Sequence, residues 1–176
     1  MCEGAANSCA FFFATRKGTQ NPVMKPATKA TRPPDPKPIR RNPKRMGELS
    51  EAAFMLKVRT LGFGIAKPWG DSERYDFIVS SSPRLSRVQL KSTEVLRARG
   101  YDVQPIYSVY GKGKITYTAE DIDFLVAHIV PVDAWYVLPI EAVTSSTSLR
   151  FYPDIPCKCA RWEIYREAWH LLQSRV

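Results

Sequence analysis

Four side chains of this 176-residue sequence could do chemistry together: Glu51, Asp76, Gln89 and Lys91. Asp76 stands at the head of Arg74-Tyr75-Asp76-Phe77-Ile78-Val79, and Gln89 and Lys91 lie in Leu85-Ser86-Arg87-Val88-Gln89-Leu90-Lys91-Ser92. Strand residues alternate between faces, so Arg87, Gln89 and Lys91 share one face of the second segment and Asp76 and Ile78 share one face of the first. An acid, an amide and an ammonium at one end of a strand pair suit a hard cation held by oxygen ligands, with a lysine beside it to act on a phosphate or a water. The solvated face of an ordinary amphipathic strand has the same look, and spacing alone favours that plainer meaning.

The elements that must position these groups follow from local pattern. The segments around Asp76 and Gln89 are rich in β-branched and aromatic residues, and Ser81, Ser82 and Pro83 between them supply turn chemistry, which predicts an antiparallel hairpin. Glu48 to Leu61 has helical periodicity, with Leu49, Ala52, Ala53, Leu56 and Val58 expected on the core face and Gly62 ending the helix. Glu48 and Glu51 are three apart and share a face, so either is a candidate third carboxylate. A solvated pairing of Glu51 with Lys57 or another neighbour is the alternative.

Glu51, Asp76 and Gln89-Leu90-Lys91 in this order resemble the core of the PD-(D/E)XK nucleases, and the wider run is similar to the bacterial branch related to group I intron homing endonucleases. The resembling stretches are Gly47-Glu48-Leu49-Ser50-Glu51, Pro68-Trp69-Gly70-Asp71, Arg74-Tyr75-Asp76, Arg87 to Ser92, Asp121-Ile122-Asp123-Phe124 and Trp135 to Pro139. The resemblance covers most of the chain from Met46 onward. It implies an α/β chain with an α+β, restriction-endonuclease-like core, a central mixed β-sheet flanked by helices. It implies a DNA endonuclease in which Asp76 is the central metal ligand, Glu51 and the Leu90 backbone carbonyl add further oxygens, and Gln89 offers its side-chain carbonyl where many relatives have a carboxylate. Lys91 orients or deprotonates the attacking water. Glu51 matches the family's helix glutamate better than Glu48, counting back from Gly62. The expected metal is Mg2+, with Mn2+ able to substitute, and the expected partner is double-stranded DNA. Cutting both strands with one small domain implies a dimer or tetramer. The competing classes are a non-catalytic DNA-binding module on the same scaffold and a soluble α/β interaction protein.

Charge divides the chain. Residues 1–45 carry ten Lys or Arg against Glu3 and Asp35, while the remainder carries 16 against 15, so most of the net charge of +9 sits in the first 45 residues. That stretch also holds half of the 14 prolines. It predicts a disordered, basic, Pro-rich arm over 1–45 ahead of a nuclease-like domain over 46–176; the alternative is that translation starts near Met46. No apolar run reaches the roughly 20 residues a membrane helix needs. A secretory signal is not expected either, and the expected location is cytoplasmic.

Beyond the core set, Arg74, Arg87, Lys112 and Lys114 are candidate DNA contacts, the last two in the basic turn Gly111-Lys112-Gly113-Lys114 between strands expected over 104–110 and 115–118. Ordinary solubilising charge and, for Arg74, an ion pair with Asp71 or Glu73 are the alternatives. Trp69 either packs its loop or stacks on a base. Glu94 to Tyr101 reads as a flexible excursion. Asp123 to Val130 and Ala134 to Ile140 read as strands buried on both faces near the sheet centre. Asp121 and Asp123 read as scaffold, with Asp121 in the first turn of a short helix. Leu149 to Tyr152 reads as an edge strand and Ala160 to Leu172 as a closing helix. The cysteines at 2, 9, 157 and 159 lack zinc-site spacing and read as free thiols, and His128 and His170 lack a ligand context.

Overall fold

The computed structural model describes residues 42–70, 72–156 and 158–173. The arm expected over 1–45 lies outside these as far as Arg41, as do Asp71 and the cysteines at 2, 9 and 157. The elements are α1 (Pro43–Thr60), β1 (Gly64–Ala66), β2 (Phe77–Ser81), β3 (Arg84–Thr93), β4 (Leu96–Arg97), β5 (Gly100–Val103), β6 (Ile106–Val109), β7 (Gly113–Thr116), β8 (Phe124–Ile129), β9 (Ala134–Pro139), the single turn α2 (Ile140–Val143) and β10 (Leu149–Phe151).

Helix α1 starts five residues before the expected Glu48. Asn42 caps it by accepting from the backbone N–H groups of Lys44 and Arg45 at 3.1 and 3.3 Å, and Pro43 fills the first position, where no N–H is needed. It ends as expected at Gly62, whose φ of +87° lets Gly62 N–H reach the Arg59 carbonyl and Phe63 N–H reach that of Val58. The core face agrees with the expected one at Val58 and in part at Ala53, and differs elsewhere. Ser50, Phe54 and Val58 are buried, while Leu49 and Leu56 are 55% and 68% exposed. Counting apolar residues selected the wrong stripe because the true one contains a serine, whose hydroxyl lies 3.1 Å from His128 Nδ1. Phe54 is the centre of this face, with its ring 5.0 Å from Phe77 and 6.1 Å from Trp135.

The main sheet has the order β1-β2-β3-β8-β9 and is mixed: β3 and β8 are parallel, and every other neighbouring pair is antiparallel. The hairpin predicted around Asp76 and Gln89 is present as β2 and β3, turned by Ser82-Pro83. Strands β8 and β9 have the expected buried character, but β9 is the last strand of the sheet rather than a central one. Its outer edge is covered by the C-terminal segment: Tyr136 bridges to Arg166, and Glu167 N–H donates to the Trp135 carbonyl at 2.7 Å. This use of Arg166 and Glu167 explains why Ala160 to Leu172 is not the expected helix. Two 3-10 turns, Glu163–Tyr165 and Trp169–Leu172, flank the bridge, and Glu167 takes a positive φ of 48°. Trp162, Trp169 and Leu172 are nevertheless buried, so the aromatic stripe does reach the core.

The two faces of the sheet are covered differently. Phe77, Val79, Val88, Leu90, Val126 and Val137 pack with Phe54 and Val58 of α1, whereas Leu125, Ala127, Tyr136 and Leu138 pack with Tyr101, Val103, Leu149 and Phe151. The second covering layer is thus a small sheet, β10-β5-β4, in place of a helix. Its β4–β5 turn replaces the flexible excursion expected at 94–101: Ala98 and Arg99 both take positive φ, and a Cβ on Gly100 would meet Arg150 and Tyr152 atoms within 2.9 Å. β10 is an edge strand, as expected. β6 and β7 form the predicted hairpin with Lys112 and Lys114 exposed at its tip.

Candidate active site

Asp76 directly precedes β2, and its N–H donates to the Val88 carbonyl at 2.9 Å, which extends the β2–β3 ladder by one residue and sets Asp76 across from Gln89. Asp76 Oδ2 accepts from Gln89 Nε2 at 2.6 Å and from the Leu90 backbone N–H at 2.8 Å. Gln89, only 7% exposed, also donates to the Leu90 carbonyl oxygen at 3.2 Å. One amide N–H2 therefore lies between a carboxylate oxygen and a carbonyl oxygen. Both are acceptors, so the amide nitrogen has to face them.

Burial pushes the Asp76 carboxyl above its ordinary range, and the Glu51 carboxylate adds to this. The Leu90 N–H, the Lys91 ammonium and the Gln89 amide oppose the shift without cancelling it. Burial likewise pushes Lys91 below the usual lysine range, against the pull of Asp76. Burial thus disfavours the charged forms of an acid and an amine whose charges act on one another, and perturbed titratable groups of this kind cluster at functional sites.

Glu51, not Glu48, is the α1 carboxylate whose charge acts on Asp76. It is held by Lys67 at 2.5 Å rather than by Lys57, which pairs with Glu167 at 3.1 Å. Lys67 Nζ also lies 5.9 Å from the centre of the Phe77 ring, next in sequence to Asp76. Nothing in the spacing of the sequence singled out Lys67, because its partner stands 16 residues earlier on a different element.

The remaining candidates separate. Arg87 is committed to the scaffold: its side chain binds the Asp123 carboxylate at 2.9 Å and the Ala119 carbonyl at 2.8 Å, and also donates to the Glu120 carbonyl. Its backbone N–H reaches Asp123 Oδ2 at 2.7 Å. Burial alone would raise the Asp123 carboxyl, but the hydrogen bonds from Arg87 outweigh it and hold it low. Asp123 is scaffold, as read. Asp121 accepts from Thr118 N–H and hydroxyl at 2.9 and 3.0 Å within a turn, not a helix. Arg74 is exposed, and its guanidinium lies 4.2 Å from the centre of the Tyr107 ring. Trp69 is fully exposed and packs no loop. His128 is buried, stacked 3.7 Å from Trp135 and hydrogen-bonded to Ser50 and Asp133, so it is a core histidine.

The donor set fits a hard cation. Two oxygens, one of Asp76 and the Leu90 carbonyl, already converge on one electropositive group, the Gln89 amide N–H2, and a half-turn of the terminal torsion would put a third oxygen ligand in that nitrogen's place. Among the described residues no three His, Cys, Asp or Glu side chains gather as a metal cluster.

Comparison with known proteins bears on the fold and the family. The family model described as PD-(D/E)XK endonuclease matches residues 41–172. A solved bacterial homing endonuclease, I-Ssp6803I, is similar in structure at a TM-score of 0.65 and 28% sequence identity, over 73% of this chain and 90% of that one. Among curated proteins no match was found.

Proposed function

Because this chain belongs to the PD-(D/E)XK endonuclease family, we propose that it hydrolyses phosphodiester bonds of double-stranded DNA with a divalent cation, Mg2+ in the first place and Mn2+ as a substitute. Nucleases of this family generally use divalent metal ions. The observation that carries the reading is the convergence of Asp76, Gln89 and the Leu90 carbonyl with Lys91 half-buried beside them. Similarity to I-Ssp6803I supports the homing type, and association with a group I intron is part of the same proposal. Two strands must be cut, so a dimer or tetramer is the expected assembly.

Asp76, Gln89, the Leu90 carbonyl and Glu51 would hold the cation, which when bound supplies positive charge beside the scissile phosphate and makes a water easier to deprotonate. The chain's own residues do the rest. Asp76, fixed by the Leu90 N–H, stays in one orientation. Lys91 Nζ, with its pKa lowered by burial, takes a proton from the attacking water more readily than an exposed lysine does; in its charged form it faces the developing negative charge on phosphorus. Lys67 keeps Glu51 from swinging into solvent. Exposed Arg74, Lys112 and Lys114 would meet backbone phosphates, whereas Arg87 has four of its five side-chain N–H groups engaged by Asp123 and by the Ala119 and Glu120 carbonyls.

The test is cleavage by the full chain of plasmid and genomic DNA with Mg2+, Mn2+ or EDTA, beside Asp76→Ala and Lys91→Ala. Both variants are expected to fold and bind DNA but not to cleave. Cleavage by either variant at the wild-type rate would remove this site from the reaction, and DNA binding without cleavage by any form would favour a non-catalytic binding module.

A further inference from the structure

Tyr117 follows β7 directly and is 4% exposed, with its N–H donating to the Pro105 carbonyl ahead of β6. Lys91 Nζ lies 5.4 Å from the centre of its ring. The Tyr107 ring packs against it at 4.9 Å and 43°, and the Arg74 guanidinium covers Tyr107 at 4.2 Å. Cation, ring, ring and cation thus follow one another from the surface into the site.

We propose that Tyr117 is a positioning residue for Lys91, its ring serving as the platform on which the ammonium is held, with Tyr107 and Arg74 bracing that ring from outside. This rests on the nuclease reading of Lys91. A lysine carries its charge on a flexible four-carbon stem, and an unsupported ammonium is spread over several rotamers. A ring face within about 6 Å attracts the ammonium and narrows that spread. The bracing also comes from the hairpin whose tip carries Tyr110, Lys112 and Lys114, all exposed. The element offered to DNA and the element that fixes Lys91 are one.

The experiment compares full-length wild type, Tyr117→Phe, Tyr117→Leu and Lys91→Ala by single-turnover cleavage with enzyme in excess, by DNA affinity in EDTA, and by acylation of lysines with an N-hydroxysuccinimide ester followed by peptide mass spectrometry. Lys112 and Lys114 serve as exposed references in the acylation. Tyr117→Leu is expected to cut on the order of 10- to 100-fold more slowly, the cost of a misplaced catalytic group, with DNA affinity unchanged and Lys91 acylated faster relative to the references. Tyr117→Phe keeps the ring and is expected to restore both the rate and the protection. Cleavage by Tyr117→Leu at the wild-type rate, or a loss in Tyr117→Phe equal to that in Tyr117→Leu, overturns the platform. If Tyr117→Leu does not fold, Tyr107→Leu removes the brace alone, and the same pattern at smaller amplitude is expected; an unchanged rate and unchanged Lys91 acylation overturn the proposal. A wild type that cuts nothing overturns the nuclease reading itself, and the catalytic role with it, whereas a cutting wild type with an indifferent Tyr117→Leu overturns only the platform.

Discussion

Replacing Gln89 by glutamate tests whether the amide holds the metal-free site together. The amide nitrogen lies 2.6 Å from Asp76 Oδ2, so Gln89→Glu puts an acceptor where a donor was, against a carboxylate already raised by burial and by Glu51. Two carboxylates about 4 Å apart repel by ~4 kcal/mol at an effective dielectric constant near 20. The folded protein escapes part of this by sharing one proton between them. Placing that proton at pH 7 on a glutamate of ordinary pKa near 4.3 costs about 4 kcal/mol, which caps the loss of stability, and at pH 5 the same cap is only about 1 kcal/mol. The sign is that of a carboxyl with a folded pKa raised above its unfolded one: the folded state binds the extra proton, so stability is lost as pH rises. Thermal unfolding in EDTA should therefore show Gln89→Glu melting roughly 5 to 15 °C below wild type at pH 7, with the gap closing towards pH 5. Added Mg2+ should raise the variant more than the wild type, because the second carboxylate strengthens the site. A metal-free variant as stable as wild type at pH 7, or an equal response of both to Mg2+, would refute the bridging role of the amide.

Two further outcomes are expected. Burial pushes the His128 imidazole below its ordinary range, and Asp133, itself largely exposed, pulls the other way without prevailing. The unfolded chain therefore takes up a proton first, so this contribution to stability is complete above pH ~6.5 and declines as pH falls through that value; His128→Asn should flatten the slope in melts at pH 8, 6.5 and 5, and an unchanged slope would count against the assignment. Lys112→Ala combined with Lys114→Ala should weaken binding to all DNA sequences alike and lower the log–log salt slope by about two, while an unaltered slope would take the β6–β7 tip out of the interface.

What could be read from the sequence was what depended on neighbours in the chain. The β2–β3 hairpin was legible because alternation and the turn at Ser82-Pro83 lie within one short stretch, and that alone aligns Asp76 with Gln89. Glu51 was separable from Glu48 only by the family resemblance and by Gly62, which proves to be the helix stop. The core face of α1 was misread because Ser50 is buried against His128, a partner far along the chain. The same reason hides Lys67 and Tyr117: each acts through contacts made by the folded sheet and its hairpin, with no local pattern to announce them. The supposed closing helix had helical spacing of its aromatics, but the unpaired edge of β9 claimed its backbone first.

That claim has a consequence for how the protein behaves in concentrated solution. β9 is apolar on both faces and ends the sheet, so its outer row of N–H and C=O groups is a template onto which another chain could add a strand. Arg166 and Glu167 occupy that row from within the same molecule. The last part of the chain thus covers that edge from within: a version ending before Arg166 would keep every residue of the Asp76 site, yet would expose both the β9 edge and the core that Ala168, Trp169 and Leu172 fill.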